Sequence, residues 1–176
     1  MEESSRRRFA RYSNILDVPQ VRTTRMSQWD TYPCSVRDCS KAGECQGSGI
    51  YGMDGNTYAI TDGMPAFPAA EMKTAIDYVR GKKYNEGIGL EMGGMKFTFL
   101  RSLEDTETYV FKRKAKRDEN GDEIEALDDR DKYQLYLQLA KTVVMIALFK
   151  GGAKGNDVEG VARMNSLVDY LKGQNM

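Results

Sequence analysis

Histidine is missing altogether from this 176-residue chain, tryptophan occurs once, and cysteine is confined to Cys34, Cys39 and Cys45. The first absence removes the side chain that most often serves as a general base near neutral pH, and there is no Gly-x-Ser-x-Gly nucleophile motif to replace it. An enzyme is therefore not expected. Three closely spaced cysteines fit reduced thiols in a cytosolic protein better than a disulfide framework. Their spacing has no Cys-x-x-Cys pair and no histidine completes a zinc site, so neither a metal nor another cofactor is expected. Net charge is also lacking, with 26 basic residues against 26 acidic ones. No global field then draws the chain to nucleic acid. Long apolar runs are absent too: Val143 to Phe149 is the longest and is far too short to span a bilayer, and the arginine-rich start has no hydrophobic signal core. A cytoplasmic protein is the expectation.

What is present suits one domain of ordinary soluble composition. Residues 1–25 carry Arg6, Arg7, Arg8, Arg11, Arg22 and Arg25 without an apolar period, and read as a basic, flexible extension. The domain proper is expected over residues 26–176. An acidic insertion interrupts it at about 117–132, where Asp118 to Asp131 holds eight carboxylates against one arginine.

Within the domain, Met26-Ser-Gln-Trp-Asp-Thr-Tyr32 resembles a first helix, and Pro33 is expected to shorten or kink it by turning Tyr32 from helical angles. A Gly/Cys-rich connector follows. Ile50 to Met53 and Asn56 to Ile60 flank Asp54-Gly55, which predicts a hairpin. Pro68 opens a helix from Ala69 to Val79, stopped at Gly81. From Ile88 the period changes to two: Met95, Phe97 and Phe99 share one face, Lys96, Thr98 and Leu100 the other, with Gly93-Gly94 as a turn. Strands are expected at Tyr109 to Lys114, Tyr133 to Leu139 and Val143 to Phe149. The last, apolar throughout, reads as a central strand covered on both faces. A final helix runs from about Asp157 to Lys172, burying Val161, Met164, Val168 and Leu171.

Two formal motifs fail on context. Gly47-Ser-Gly-Ile-Tyr-Gly52 spells a dinucleotide fingerprint, but it precedes a hairpin where the fingerprint needs a helix. Asp118-Glu-Asn-Gly-Asp122 is similar to a calcium loop, with its glycine in the wrong place.

The Trp-x-x-Tyr of Trp29 and Tyr32, followed by Ile50-Tyr-Gly-Met-Asp-Gly-Asn-Thr-Tyr-Ala59, resembles the opening of a profilin. The order helix, hairpin, helix, strands, helix is that family's order as well. The resemblance implies an α/β (α+β) fold with a central antiparallel sheet, the N- and C-terminal helices packed on one face and a further helix on the other. It implies a monomer that binds monomeric actin and proline-rich proteins such as formin-like assembly factors, and regulates filament assembly. The positions matching the family's polyproline groove are Trp29, Tyr32, Ile50, Tyr58, Tyr170 and Leu171. Those matching its actin surface are Lys96 in Gly93-Gly-Met-Lys96, Arg101, Lys112 and Lys114, and, more loosely, Asn156, Glu159 and Arg163. Family members also bind phosphoinositide headgroups through basic clusters, for which Lys112, Arg113, Lys114, Lys116 and Arg117 are the candidates. The competing expectation is a sheet-and-helix scaffold of the same size that lacks actin binding and holds a peptide or small ligand.

Overall fold

A computed structural model describes residues 27–115, 118–122, 133–151 and 158–176. The basic extension, most of the acidic insertion, Asn156 and the Asp157 N-cap candidate lie outside the described residues.

Seven antiparallel strands form one sheet in the order β2-β1-β7-β6-β5-β4-β3. They are β1 (Cys45–Gly52), β2 (Thr57–Ile60), β3 (Leu90–Met92), β4 (Met95–Leu103), β5 (Thr108–Lys114), β6 (Tyr133–Leu139) and β7 (Val143–Lys150). Val143 to Phe149 are all buried, because β7 lies between β1 and β6 with packed layers above and below. Two helices, α1 (Thr31–Cys39) and α3 (Val158–Gly173), cover one face. Beneath them Ile50, Met145, Ala147 and Phe149 pack against Val36 of α1 and against Met164, Val168 and Leu171 of α3. The opposite face is covered by α2 (Ala69–Arg80), whose Met72, Ile76 and Val79 meet Tyr51, Phe97, Phe111 and Ile146. This is the expected arrangement of terminal helices on one face and a third helix on the other.

One expectation is overturned. Pro33 does not turn Tyr32 from the helix but lies with it inside the first turn, and α1, beginning at Thr31, takes up most of what reads as connector. A proline there forfeits no hydrogen bond, since the first-turn N–H groups have no helical acceptor. The residue is buried, and its carbonyl accepts a 2.6 Å hydrogen bond from Ser48 Oγ on β1. Tertiary packing thus outweighs the local bias against helical angles at Tyr32. Trp29 falls in the turn before α1, where its N–H donates to Ser27 Oγ and the Asp30 carboxylate accepts from the Ser27 N–H.

The glycines of the apparent fingerprint lie in β1. A Cβ at Gly47 would stand 2.5 Å from the backbone nitrogen of Met64, so close backbone packing is what requires glycine there. In the β1–β2 turn, Gly55 has φ +88° and its missing Cβ would collide with the Ala69 carbonyl at the start of α2. Asp54 accepts from the Asn56 N–H at 3.0 Å and from its side-chain amide at 2.7 Å, which holds the Asp54 carboxyl below its ordinary pKa.

Candidate functional site

Three aromatic side chains meet at the start of α1. The Trp29 ring centroid is 5.9 Å from that of Tyr32 and 5.1 Å from that of Tyr58, both tilted, within the range where ring quadrupoles attract. Trp29 and Tyr32 are half-buried, while Tyr58 is 41% exposed, so the cluster keeps open ring surface. Gly52 sets the Tyr58 position: a Cβ there would come within 2.7 Å of the Tyr58 hydroxyl, so the ring lies across the bare backbone of β1.

Between α1 and α3 runs an open groove of about 460 Å³. One wall is Gln28, Thr31, Tyr32 and Ser35; the other is Arg163, Ser166, Leu167 and Tyr170. Each set follows the spacing i, i+3, i+4, i+7, which is one face of a helix. Tyr170 is 52% exposed and offers its ring to the groove. Arg163 Nε donates to Ser35 Oγ at 3.1 Å, a bridge from the first half of α3 to α1. Ile50 and Leu171 are fully buried and lie under the helices, where they can support the groove but offer it no surface. Met176 also packs on this core, and its carbonyl accepts from the Lys141 N–H at 2.8 Å.

On its other flank α3 is fastened to the sheet. Gln138 of β6, almost fully buried, donates from Nε2 to Asn165 Oδ1 and to the Thr106 carbonyl, both at 2.9 Å. Lys172 pairs with Glu107 across a 2.5 Å salt bridge.

The basic candidates divide by the pleat. Lys96 faces Lys114 and Thr98 faces Lys112 in the β4–β5 register, and Lys112 faces Gln134 on β6. Residues opposite one another in antiparallel strands point the same way. Lys96, Lys112 and Lys114 therefore share the face that carries α1 and α3, beyond the edge of α3, and all are exposed. A bulge between Phe99 and Arg101 brings Arg101 opposite Val110 on that same face and leaves Leu100 48% exposed. Arg113 points to the opposite face, opposite Phe97, so alternation splits the run that composition presents as one cluster. Lys116 and Arg117 lie outside the described residues. Glu159 is exposed near the start of α3, and Arg163, which the resemblance matches loosely to the actin surface along with Asn156 and Glu159, lines the groove.

No helix among the described residues is long and apolar enough to cross a membrane. Cys34 and Cys39 lie on α1, Cys45 at the start of β1 places its Sγ 3.6 Å from the Gly47 carbonyl, and no disulfide joins the three; no group of three or more metal-ligating side chains occurs among the described residues.

The sequence finds no significant match among curated proteins. The family model for profilin matches residues 27–176. Among solved structures the chain is similar to Acanthamoeba castellanii profilin IA, at 19% identity and a TM-score of 0.59, over 84% of this chain and 99% of that one. It is similar to mouse profilin IIa in complex with a double repeat from the FH1 domain of mDia1, at 19% identity and a TM-score of 0.59, over 85% and 100%. A third likeness, at 15% identity and a TM-score of 0.52 over 80% and 91%, is to LokiProfilin1 in its complex with rabbit actin.

Proposed function

The chain belongs to the profilin family, and on that footing we propose that it is a non-catalytic adaptor that binds monomeric actin on one surface and proline-rich segments on another, regulating filament assembly. The observation that carries this reading is the aromatic cluster of Trp29, Tyr32 and Tyr58, continuous with a groove to which Tyr170 adds a fourth ring. A polyproline II ligand has flat pyrrolidine faces, free carbonyls and little conformational entropy left to lose, and it docks on such surfaces. Indole and phenol groups supply the few donors it needs.

Support for the actin surface comes from the bare lysine face of β4 and β5, with Lys96, Arg101, Lys112 and Lys114 displayed together. Acidic phosphoinositide headgroups are a weaker part of the proposal, since Arg113 faces away from Lys112 and Lys114.

Trp29 is the only tryptophan, so its emission reads the groove directly. Adding oligoproline should shift and quench it, and Trp29→Ala, followed by calorimetry, should cost about 2 kcal/mol of binding, as a central aromatic anchor does. No spectral or calorimetric response to oligoproline at high concentration would remove the peptide-binding half of the reading. Pull-down with monomeric actin tests the other half, and failure to saturate would leave a scaffold without actin binding.

A further inference from the structure

Resting on the groove being a proline-rich peptide site, we propose that Arg163 makes it selective for proline-rich segments that carry an acidic side chain at a set distance from the docked prolines. Among the described residues lining the groove, Arg163 is the one charged side chain, and none is acidic. It is exposed and forms no ion pair among the described residues. Its position is nonetheless defined, because Nε is held by Ser35 Oγ. The terminal guanidinium nitrogens remain to bind a carboxylate in the bidentate geometry that arginine favours. Ser35 Oγ donates to the Tyr32 carbonyl and Ser166 Oγ to the Ala162 carbonyl, so both hydroxyl protons are committed to the helices and the Arg163 guanidinium is the donor that an anion meets in this stretch of the groove.

The spacing follows from two helices of different rise. Arg163 and Tyr170 stand two turns apart on one face of α3, roughly 10 Å along its axis. A polyproline II segment rises about 3.1 Å per residue. An acidic residue must then lie about three or four positions from the proline packed on Tyr170. The groove's length and the position of its charge together specify the ligand as an oligoproline core with a single aspartate or glutamate beyond one end.

The test uses the full chain and four synthetic peptides titrated against Trp29 fluorescence at low salt: a plain oligoproline, the same core with glutamate four residues beyond its last proline, one with glutamate four residues before its first, and one with lysine at the better of those positions. One glutamate peptide should bind roughly two- to fivefold tighter than plain oligoproline, the range of an exposed ion pair, and the lysine peptide more weakly. The glutamate preference should fall to unity in Arg163→Gln and as salt is raised, and it should persist in Lys73→Gln, which removes an equal charge from α2 on the opposite face. Equal binding of plain and glutamate peptides overturns the proposal while leaving the peptide site intact. A preference that survives Arg163→Gln overturns it as well. If no peptide binds, the parent reading of the groove fails and takes this one with it.

Discussion

At the scale of single residues, Tyr51 shows most directly what burial does. Its side chain is fully buried in the core under α2, and its hydroxyl has no hydrogen-bond partner. Burial pushes the phenol up from 10.0 to about 12, and the nearby Phe67 backbone and Thr57 side chain act in the opposite direction. The sign is fixed by linkage: between those values the unfolded chain ionises Tyr51 and the folded chain does not. The folded state therefore keeps its full stability below pH 10 and loses it as pH rises toward about 12. At most this amounts to roughly 2 to 3 kcal/mol. Tyr51→Phe removes an unsatisfied buried hydroxyl, so at pH 8 it should be neutral or slightly stabilising. Urea denaturation of both proteins from pH 9 to 11.5 checks this, and the variant should show the shallower decline.

At the scale of elements, the β1–β2 hairpin and α2 are joined at one backbone contact. Gly55 supplies both a left-handed turn and the gap into which the Ala69 carbonyl fits. Gly55→Ala should cost about 2 kcal/mol or more, from strain and displacement of the α2 start, visible as a lowered urea midpoint. A substitution at Gly121, whose φ is +89° but whose missing Cβ meets nothing within 4 Å among the described residues, should cost less. This hairpin was readable from sequence, as were α2, the alternating β4 and the continuously apolar β7, because each has a local signal: Asp-Gly, a proline entrance, period two, or an unbroken run. The helix α1 and the first half of β1 lacked one. Only Pro33 and Val36 of α1 are buried, and Gly47 and Gly49 of β1 are there because Met64 and Ile60 press against them from another segment. The aromatic members of the groove were likewise apparent, whereas its polar walls were not. A repeat such as Gln28, Thr31, Tyr32 and Ser35 has helical spacing but no hydrophobic contrast to reveal it. Arg163 could be placed only once α1 was known to run past it.

For the whole molecule, the sheet order places the two proposed surfaces side by side. Across one face come α1 over β1 and β2, then α3 against β6, then the uncovered lysines of β5 and β4. Replacing Lys112 and Lys114 together with glutamate should weaken actin binding about tenfold, roughly 1.4 kcal/mol, while melting temperature and oligoproline affinity stay unchanged. Actin titrations of the double variant at two ionic strengths give the measurement, and the loss should shrink as salt rises. The helix between the two surfaces is anchored along one flank through Gln138, Asn165, Lys172 and Glu107, and forms the groove wall with the other. A helix is only about 10 to 12 Å across, a distance that about four extended residues span. One polypeptide with a proline-rich stretch and a short acidic stretch could thus straddle α3 and hold both surfaces at once. Once its first stretch is seated, the second binds at an effective concentration in the millimolar range with so short a tether. Such a bivalent ligand would compete with actin for the lysines even if its acidic stretch, alone in solution, bound too weakly to measure.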